Sequence, residues 1–170
     1  MAKPGESIVK AYLESKGLTV LKLPEGKVKT VDFKVYSGEE LVFYLEEKTL
    51  ELTPLTWKDV DPVYNAIAKD VYEARKQFRS VNPYRRVPNV LSFTNMDPAR
   101  DINYLFGALT GHVITARGKM RRLHHFGKEE GNLPPIALYL WFDHDQLSGH
   151  IWEEAAKGFE AKLTAVLGLE

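Results

Sequence analysis

Apolar positions near the N-terminus recur at helical spacing. Ile8, Val9, Tyr12 and Leu13 predict a short amphipathic helix over residues 6–16, stopped at Gly17. The period then changes to two. Residues 18–23 read as a strand ended by the Pro24-Glu25-Gly26 turn, and residues 31–52 read as a hairpin. Asp32 opens its first strand, Ser37-Gly38 makes the turn, and the second strand, 41–52, carries Glu46-Glu47-Lys48 in its middle. Period-two alternation puts Val42, Tyr44, Glu46, Lys48 and Leu50 on one side, and Leu41, Phe43, Leu45, Glu47 and Thr49 on the other. Glu46 and Lys48 therefore point the same way, roughly 6 to 7 Å apart along the strand.

Downstream, Trp57 is expected to plug an edge of the core from a loop over 54–61. Asp61 as N-cap and Pro62 as first helical residue open a long helix to about Arg79, with Val63, Ile67, Val71, Ala74 and Phe78 on its apolar face. A buried strand follows over 89–93. Asp97-Pro98 repeats the cap-plus-proline start for a helix to about Leu109, and 112–116 reads as a further strand. The run IALYLWF at 136–142 is a buried strand ending at Asp143-His144-Asp145, and 151–167 reads as a closing amphipathic helix. This order predicts an α/β fold with a mixed β-sheet between layers of α-helices.

Length and composition narrow the picture. At 170 residues the chain has room for one well-buried core, so 1–170 is expected to be a single domain. The absence of cysteine excludes disulfides, thiolate metal sites and a cysteine nucleophile. No N-terminal apolar run or membrane-length stretch is present, which gives a cytoplasmic location and no membrane partner as expectations. Basic and acidic residues balance at 23 each, so a nucleic-acid partner has to be met by a local basic patch. Arg79, Arg85 and Arg86 after the long helix, with Arg117, Lys119, Arg121 and Arg122 in the densest basic segment, are the candidates. A solvated basic surface explains the same residues.

Charged groups inside an apolar strand cost stability unless they are paired or bind something. The tripeptide acid-x-Lys is nevertheless cheap. About two chance matches are expected in a chain of this composition, and five occur: Glu14-Lys16, Glu25-Lys27, Asp32-Lys34, Glu46-Lys48 and Glu160-Lys162. Only Glu46-Lys48 lies in a strongly apolar strand with another acid, Asp32, delivered by the preceding strand. Glu6 stands one helix earlier, although a first-turn carboxylate is also favoured by the helix dipole. The competing explanation of Glu46-Lys48 is a structural ion pair on an exposed sheet face. Asp143-His144-Asp145 and His124-His125 read as loop or strand-end residues, the first because neighbours in extended chain face opposite ways, the second because no carboxylate stands at matching spacing.

With these residues in place, the chain resembles the PD-(D/E)XK nuclease superfamily, which includes restriction endonucleases and resolvase-like nucleases. The resemblance covers roughly residues 5–50 and extends to Gln77. Gly5-Glu6, Leu13 and Gly17 are similar to the first-helix pattern of the resolvase-like members, and Val31 stands where the pattern has proline. The resemblance implies a restriction-endonuclease-like fold and a nuclease hydrolysing DNA phosphodiester bonds, endonuclease in preference to exonuclease. It further implies Asp32, Glu46 and Glu6 as ligands of Mg2+ or Mn2+, Lys48 as the water-activating catalytic residue, Gln77 as an accessory group, and a homodimer. Glu47 departs from the pattern, whose middle residue is usually apolar. A noncatalytic nucleic-acid-binding or protein-interaction module on the same fold, and an enzyme acting on RNA or a small phosphodiester, are the alternatives.

Overall fold

In the computed structural model, residues 3–52, 61–114, 117–122 and 132–170 are described. Trp57 and His124-His125 lie outside the described residues, as do the side chains of Asp61, Pro62, Arg121 and Arg122.

Alternation within two apolar strands sets the layering. In β4 (Asn89–Asn95) and β7 (Leu138–Asp143), Val90, Leu138, Leu140 and Phe142 face one core, while Leu91, Phe93, Tyr139 and Trp141 face another. The first core is closed by Val9 and Leu13 of α1 (Pro4–Ser15) and by Leu163 and Leu167 of α4 (Glu160–Leu167). The second is closed by Ile67, Ala74 and Phe78 of α2 (Asp61–Val81) and by Leu105 and Ala108 of α3 (Ile102–Thr110). A strand buried on both faces has to be apolar at nearly every position, which is what the 136–142 run shows.

The sheet is six-stranded and mixed, in the order β1-β2-β3-β4-β7-β8. β1 (Thr19–Lys22), β2 (Phe33–Ser37) and β3 (Glu40–Leu50) form an antiparallel meander; β3, β4 and β7 run parallel; β8 (Gln146–Trp152) turns back antiparallel on β7. A separate hairpin joins β5 (His112–Ile114) to β6 (Met120–Arg122). The expected α/β class with a mixed sheet flanked by helices is thus observed. Among the described residues, no helix is long and apolar enough to cross a membrane.

Helix α1 begins at Pro4, whose fixed φ suits the first helical position. It stops where Gly17, at φ 79°, lets the Gly17 and Leu18 N–H groups return to the carbonyls of Glu14 and Leu13.

Three expectations are corrected. Strict alternation in the long hairpin strand fails at Val42, because the β2/β3 register slips between Val35 and Tyr36. Val42 therefore packs with Phe43 and Leu45 rather than on the side of Glu46. Asp97 does not cap α3. It closes the turn before it, accepting from the Ala99 N–H at 2.9 Å, while Asp101 caps the helix by accepting from the Asn103 N–H at 2.9 Å. The closing helix over 151–167 is shorter than expected: Ile151 and Trp152 end β8, a 3-10 turn spans Glu154–Ala156, and α4 follows. As expected of a strand end, the Asp143-His144-Asp145 segment is the turn into β8, with His144 at φ 52°. Helix α2 ends at Val81, close to the expected end near Arg79.

Candidate functional site

The site forms where the hairpin splits. β2 begins at Phe33, which pairs with Leu45, so β3 beyond Leu45 has β4 on one side and no strand on the other. The backbone N–H of Glu47 on that open side is taken by a side chain: it donates to Asp32 Oδ2 at 2.8 Å. In return the Asp32 N–H donates to Glu46 Oε2 at 3.1 Å. The Asp32 carboxylate is thereby held by the Glu47 backbone and the Glu46 carboxylate by the Asp32 backbone, an arrangement that fixes both before any ligand arrives.

Two lysines balance them. On the α2 side, Lys48 Nζ donates to Glu46 Oε1 at 2.8 Å and to Gln77 Oε1 at 3.0 Å, and Gln77 Nε2 donates to the Thr30 carbonyl at 2.9 Å. Gln77 thus links the α2 helix, the chain entering β2 and the Lys48 ammonium. On the α1 side, Lys22 Nζ donates to Glu6 Oε2 at 2.6 Å and to Asp32 Oδ1 at 3.0 Å. Sequence reasoning therefore selected Glu6, Asp32, Glu46, Lys48 and Gln77, and the structure brings all five into one hydrogen-bonded cluster. Two of the other acid-x-Lys copies lead elsewhere: Lys162 pairs with Glu40, and Glu14 with Lys10 at 3.9 Å.

Sequence reasoning passed over Lys22 and Asp70. The signal for Lys22 was available, since Val20 is buried and a residue two further along a strand faces the same way. A lysine on that side at the strand end lies within reach of acids on the adjoining elements. Asp70 lies two turns before Gln77 on the same face of α2. Burial holds its carboxyl above the ordinary range, against the pull of Lys48 and Lys3.

Burial dominates the electrostatics. The Glu46 carboxyl is pushed up to about 7, first by desolvation and then by the Asp32 charge, and Lys48 and Gln77 only partly offset this. Lys22 titrates above its ordinary value: burial works against its charge, but the bonds to Glu6 and Asp32 outweigh it.

Glu47 points to the opposite face and is fully buried, at 0% exposure. Both its oxygens accept from Thr49 Oγ1, at 3.0 and 3.1 Å. Ser92 Oγ and Thr94 Oγ1, on the neighbouring β4, are buried without hydrogen-bond partners among the described residues. Thr94 nevertheless stands close enough to favour the charged form, as do Thr49 and Lys3, yet desolvation prevails and raises the Glu47 carboxyl to about 7. The first turn of α1 seals this pocket. A Cβ at position 5 would lie 2.0 Å from Glu47 Oε1 and 2.5 Å from Thr49 Oγ1, so only glycine admits the carboxylate beneath the helix. Glu47 is thus neither solvated nor part of the Lys48 cluster.

The predicted basic groups are dispersed. Arg79, Arg85, Arg86, Arg117 and Lys119 are exposed. Arg79 borders a cleft of about 410 Å³ with Lys29, Lys76 and Gln77, and so adjoins the cluster. Arg85 lines another cleft, of about 350 Å³, with Asn89, Pro135 and Lys157, none of which belongs to the cluster. Asp143 is structural: it accepts from Asn95 Nδ2, Trp141 Nε1 and Ser148 Oγ at 2.9, 3.1 and 2.6 Å. Burial opposes its ionisation, but those bonds prevail and hold its carboxyl below the usual range.

Among the described residues, no group of three or more His, Asp or Glu side chains is arranged to hold a metal ion. The acids meet as a pair. Glu6 and Asp32 converge on one cation, the Lys22 ammonium, and Asp32 is joined to Glu46 through its own N–H. All these donors are carboxylate oxygens, the set that hard divalent cations prefer, so the donor chemistry fits Mg2+ or Mn2+. Comparison with models of known families, with curated proteins and with solved structures yields no match for this chain.

Proposed function

We propose that the protein is a metal-dependent nuclease of the PD-(D/E)XK kind, with a restriction-endonuclease-like fold, hydrolysing phosphodiester bonds in DNA. The observation that carries this reading is the lysine clamp: Lys48 Nζ is held between Glu46 Oε1 and Gln77 Oε1, with Asp32 stapled to the same strand. Phosphodiester hydrolysis needs a water delivered to phosphorus, relief of negative charge as the new P–O bond forms, and a proton for the departing sugar oxygen. Lys48 is the group for the first two tasks. Its ammonium, fixed by two acceptors and still 16% exposed, can orient a water and offset the developing charge. Gln77 positions Lys48, and the Glu47 N–H positions Asp32. Asp32, Glu46 and Glu6 would hold Mg2+ or Mn2+, which when bound supplies charge neutralisation at the phosphate and a more acidic water. Arg79, which lines the cleft beside Gln77, is placed for contact with a nucleic-acid backbone.

The test is incubation of the protein with branched, duplex and single-stranded DNA in Mg2+ or Mn2+, with RNA in parallel. Lys48→Ala is expected to lower cleavage by roughly 10²- to 10⁴-fold. If wild type cuts none of these substrates, or Lys48→Ala cuts as well as wild type, the catalytic reading fails. A second reading has its own support: Lys22 and Lys48 already pair all three acids, which suits a noncatalytic nucleic-acid-binding or protein-interaction module. Such a module has no need of a saturable Mn2+ site lost in Asp32→Ala, and calorimetry separates the two.

A further inference from the structure

The Lys22 ammonium sits where the Glu6 and Asp32 carboxylates converge, 2.6 Å from one and 3.0 Å from the other. Its position is defined on a third side by the Phe33 ring, whose centroid lies 5.1 Å away. β1 is the edge strand of the sheet and Lys22 is its last residue, so the side chain has solvent to move into; it is 37% exposed, against 7% for Glu6 and 17% for Asp32. A divalent cation bound by these oxygens would lie about 2.0 to 2.2 Å from them. That places it within contact distance of the present Nζ position, and two cations cannot share the gap. Resting on the metal-dependent reading above, we propose that Lys22 is a built-in competitor for the metal position. Its ammonium neutralises Glu6 and Asp32 in the resting protein and is displaced when Mg2+ or Mn2+ binds.

The arrangement has two consequences. The acids are kept in place without a metal, since mutual repulsion is relieved by the lysine, and metal affinity is set by exchange of one cation for another rather than by filling a vacant site. Removing the lysine should therefore tighten metal binding, the reverse of what loss of a ligand does. One part-buried and one exposed charge-assisted bond correspond to about a tenfold change in the apparent constant.

Calorimetric titration with Mn2+ at pH 7.5, without nucleic acid, compares wild type, Lys22→Met, Lys34→Met and Asp32→Ala. Lys34→Met removes the same charge from β2 without touching either acid. Lys22→Met is expected to bind about tenfold more tightly, Lys34→Met to stay within twofold of wild type, and Asp32→Ala to lose the site. In wild type, acylation of Lys22 by a limiting amine reagent, followed by peptide mass spectrometry, is expected to rise severalfold on saturation with Mg2+, with Lys34 unchanged. Saturable binding that depends on Asp32 but is unaltered or weakened in Lys22→Met overturns the competitor role and leaves the metal reading standing. Equal tightening in Lys22→Met and Lys34→Met reduces the effect to distant charge and likewise overturns it. Absence of saturable binding in all four proteins overturns both.

Discussion

Glu47→Gln isolates the effect of one buried carboxyl on stability. The substitution preserves shape, and the new amide has two acceptors within the same pocket, the unpartnered Ser92 and Thr94 hydroxyls. In the folded protein the Glu47 carboxyl is raised from 4.5 to about 7, chiefly by desolvation. A raised folded pKa means that the native state holds its proton more tightly than the unfolded chain does. The associated stability is fully present below about pH 4.5 and is lost as pH rises through about 7. At about 1.4 kcal/mol per pH unit, the shift corresponds to about 3 kcal/mol. Glu46 titrates in the same window, but it is present in both proteins and drops out of the difference. Urea unfolding followed by fluorescence of the buried Trp141, at pH 5 and pH 8 with EDTA present, measures that difference. Because about a quarter of the effect is already lost at pH 5, Glu47→Gln is expected to gain on wild type by about 2.5 kcal/mol between the two pH values, becoming the more stable protein at pH 8. A stability gap that is constant from pH 5 to pH 8 refutes the reasoning, because it means that Glu47 ionises as readily folded as unfolded.

Three further substitutions probe the supports of the site. Gly5→Ala forces a methyl to within 2.0 Å of Glu47 Oε1, and is expected to cost about 1–3 kcal/mol in urea unfolding; in a Glu47→Ala background most of that cost should vanish, and a strictly additive double mutant contradicts the contact. Gln77→Leu releases Lys48 and leaves the Thr30 carbonyl without this donor; it is expected to lower DNA cleavage about tenfold with KM little changed and to destabilise by about 1 kcal/mol. Asp143→Ala leaves the Asn95, Trp141 and Ser148 donors without this acceptor; a loss of about 2–3 kcal/mol is expected by thermal or urea unfolding, with cleavage at permissive temperature unaffected.

What was legible in the sequence follows from how local its cause is. Strands buried on both faces announce themselves, because each position of the 136–142 run has to be apolar. The long α2 helix, the stop at Gly17 and the Ser37-Gly38 turn are likewise written in spacing and punctuation. β8 was not legible: it is an edge strand containing Ser148, Gly149 and His150, and none of its residues is fully buried. Its Ile151 and Trp152 fit the helical period of the residues after them by coincidence. Asp97-Pro98 misled for a similar reason, since a capping side chain serves a tight turn as well as a helix and only Asp101 stands in register with α3. The bulge at Val42 is a property of two strands together, and one strand's alternation cannot reveal it.

The same distinction separates what was found in the site from what was missed. Glu46, Lys48 and Asp32 were found because one hairpin carries all three, and strand geometry relates them. Lys22 was missed because its partner Glu6 comes from another element, α1, and Asp70 because only the packing of α2 buries it near the Lys48 charge. Glu47 is the instructive case, for its neighbour Glu46 drew attention to it for the wrong reason. Period two already excluded it from the Lys48 cluster, and what lies over it is a helix start lacking a side chain. Gly5, first noticed as part of a motif with Glu6, is the residue that makes that possible. The first turn of α1 therefore serves both faces of the site, with Glu6 reaching the Lys22 ammonium and Gly5 closing over Glu47. A substitution in this turn should disturb the acids on both sides at once, whereas one on β3 alone disturbs a single face.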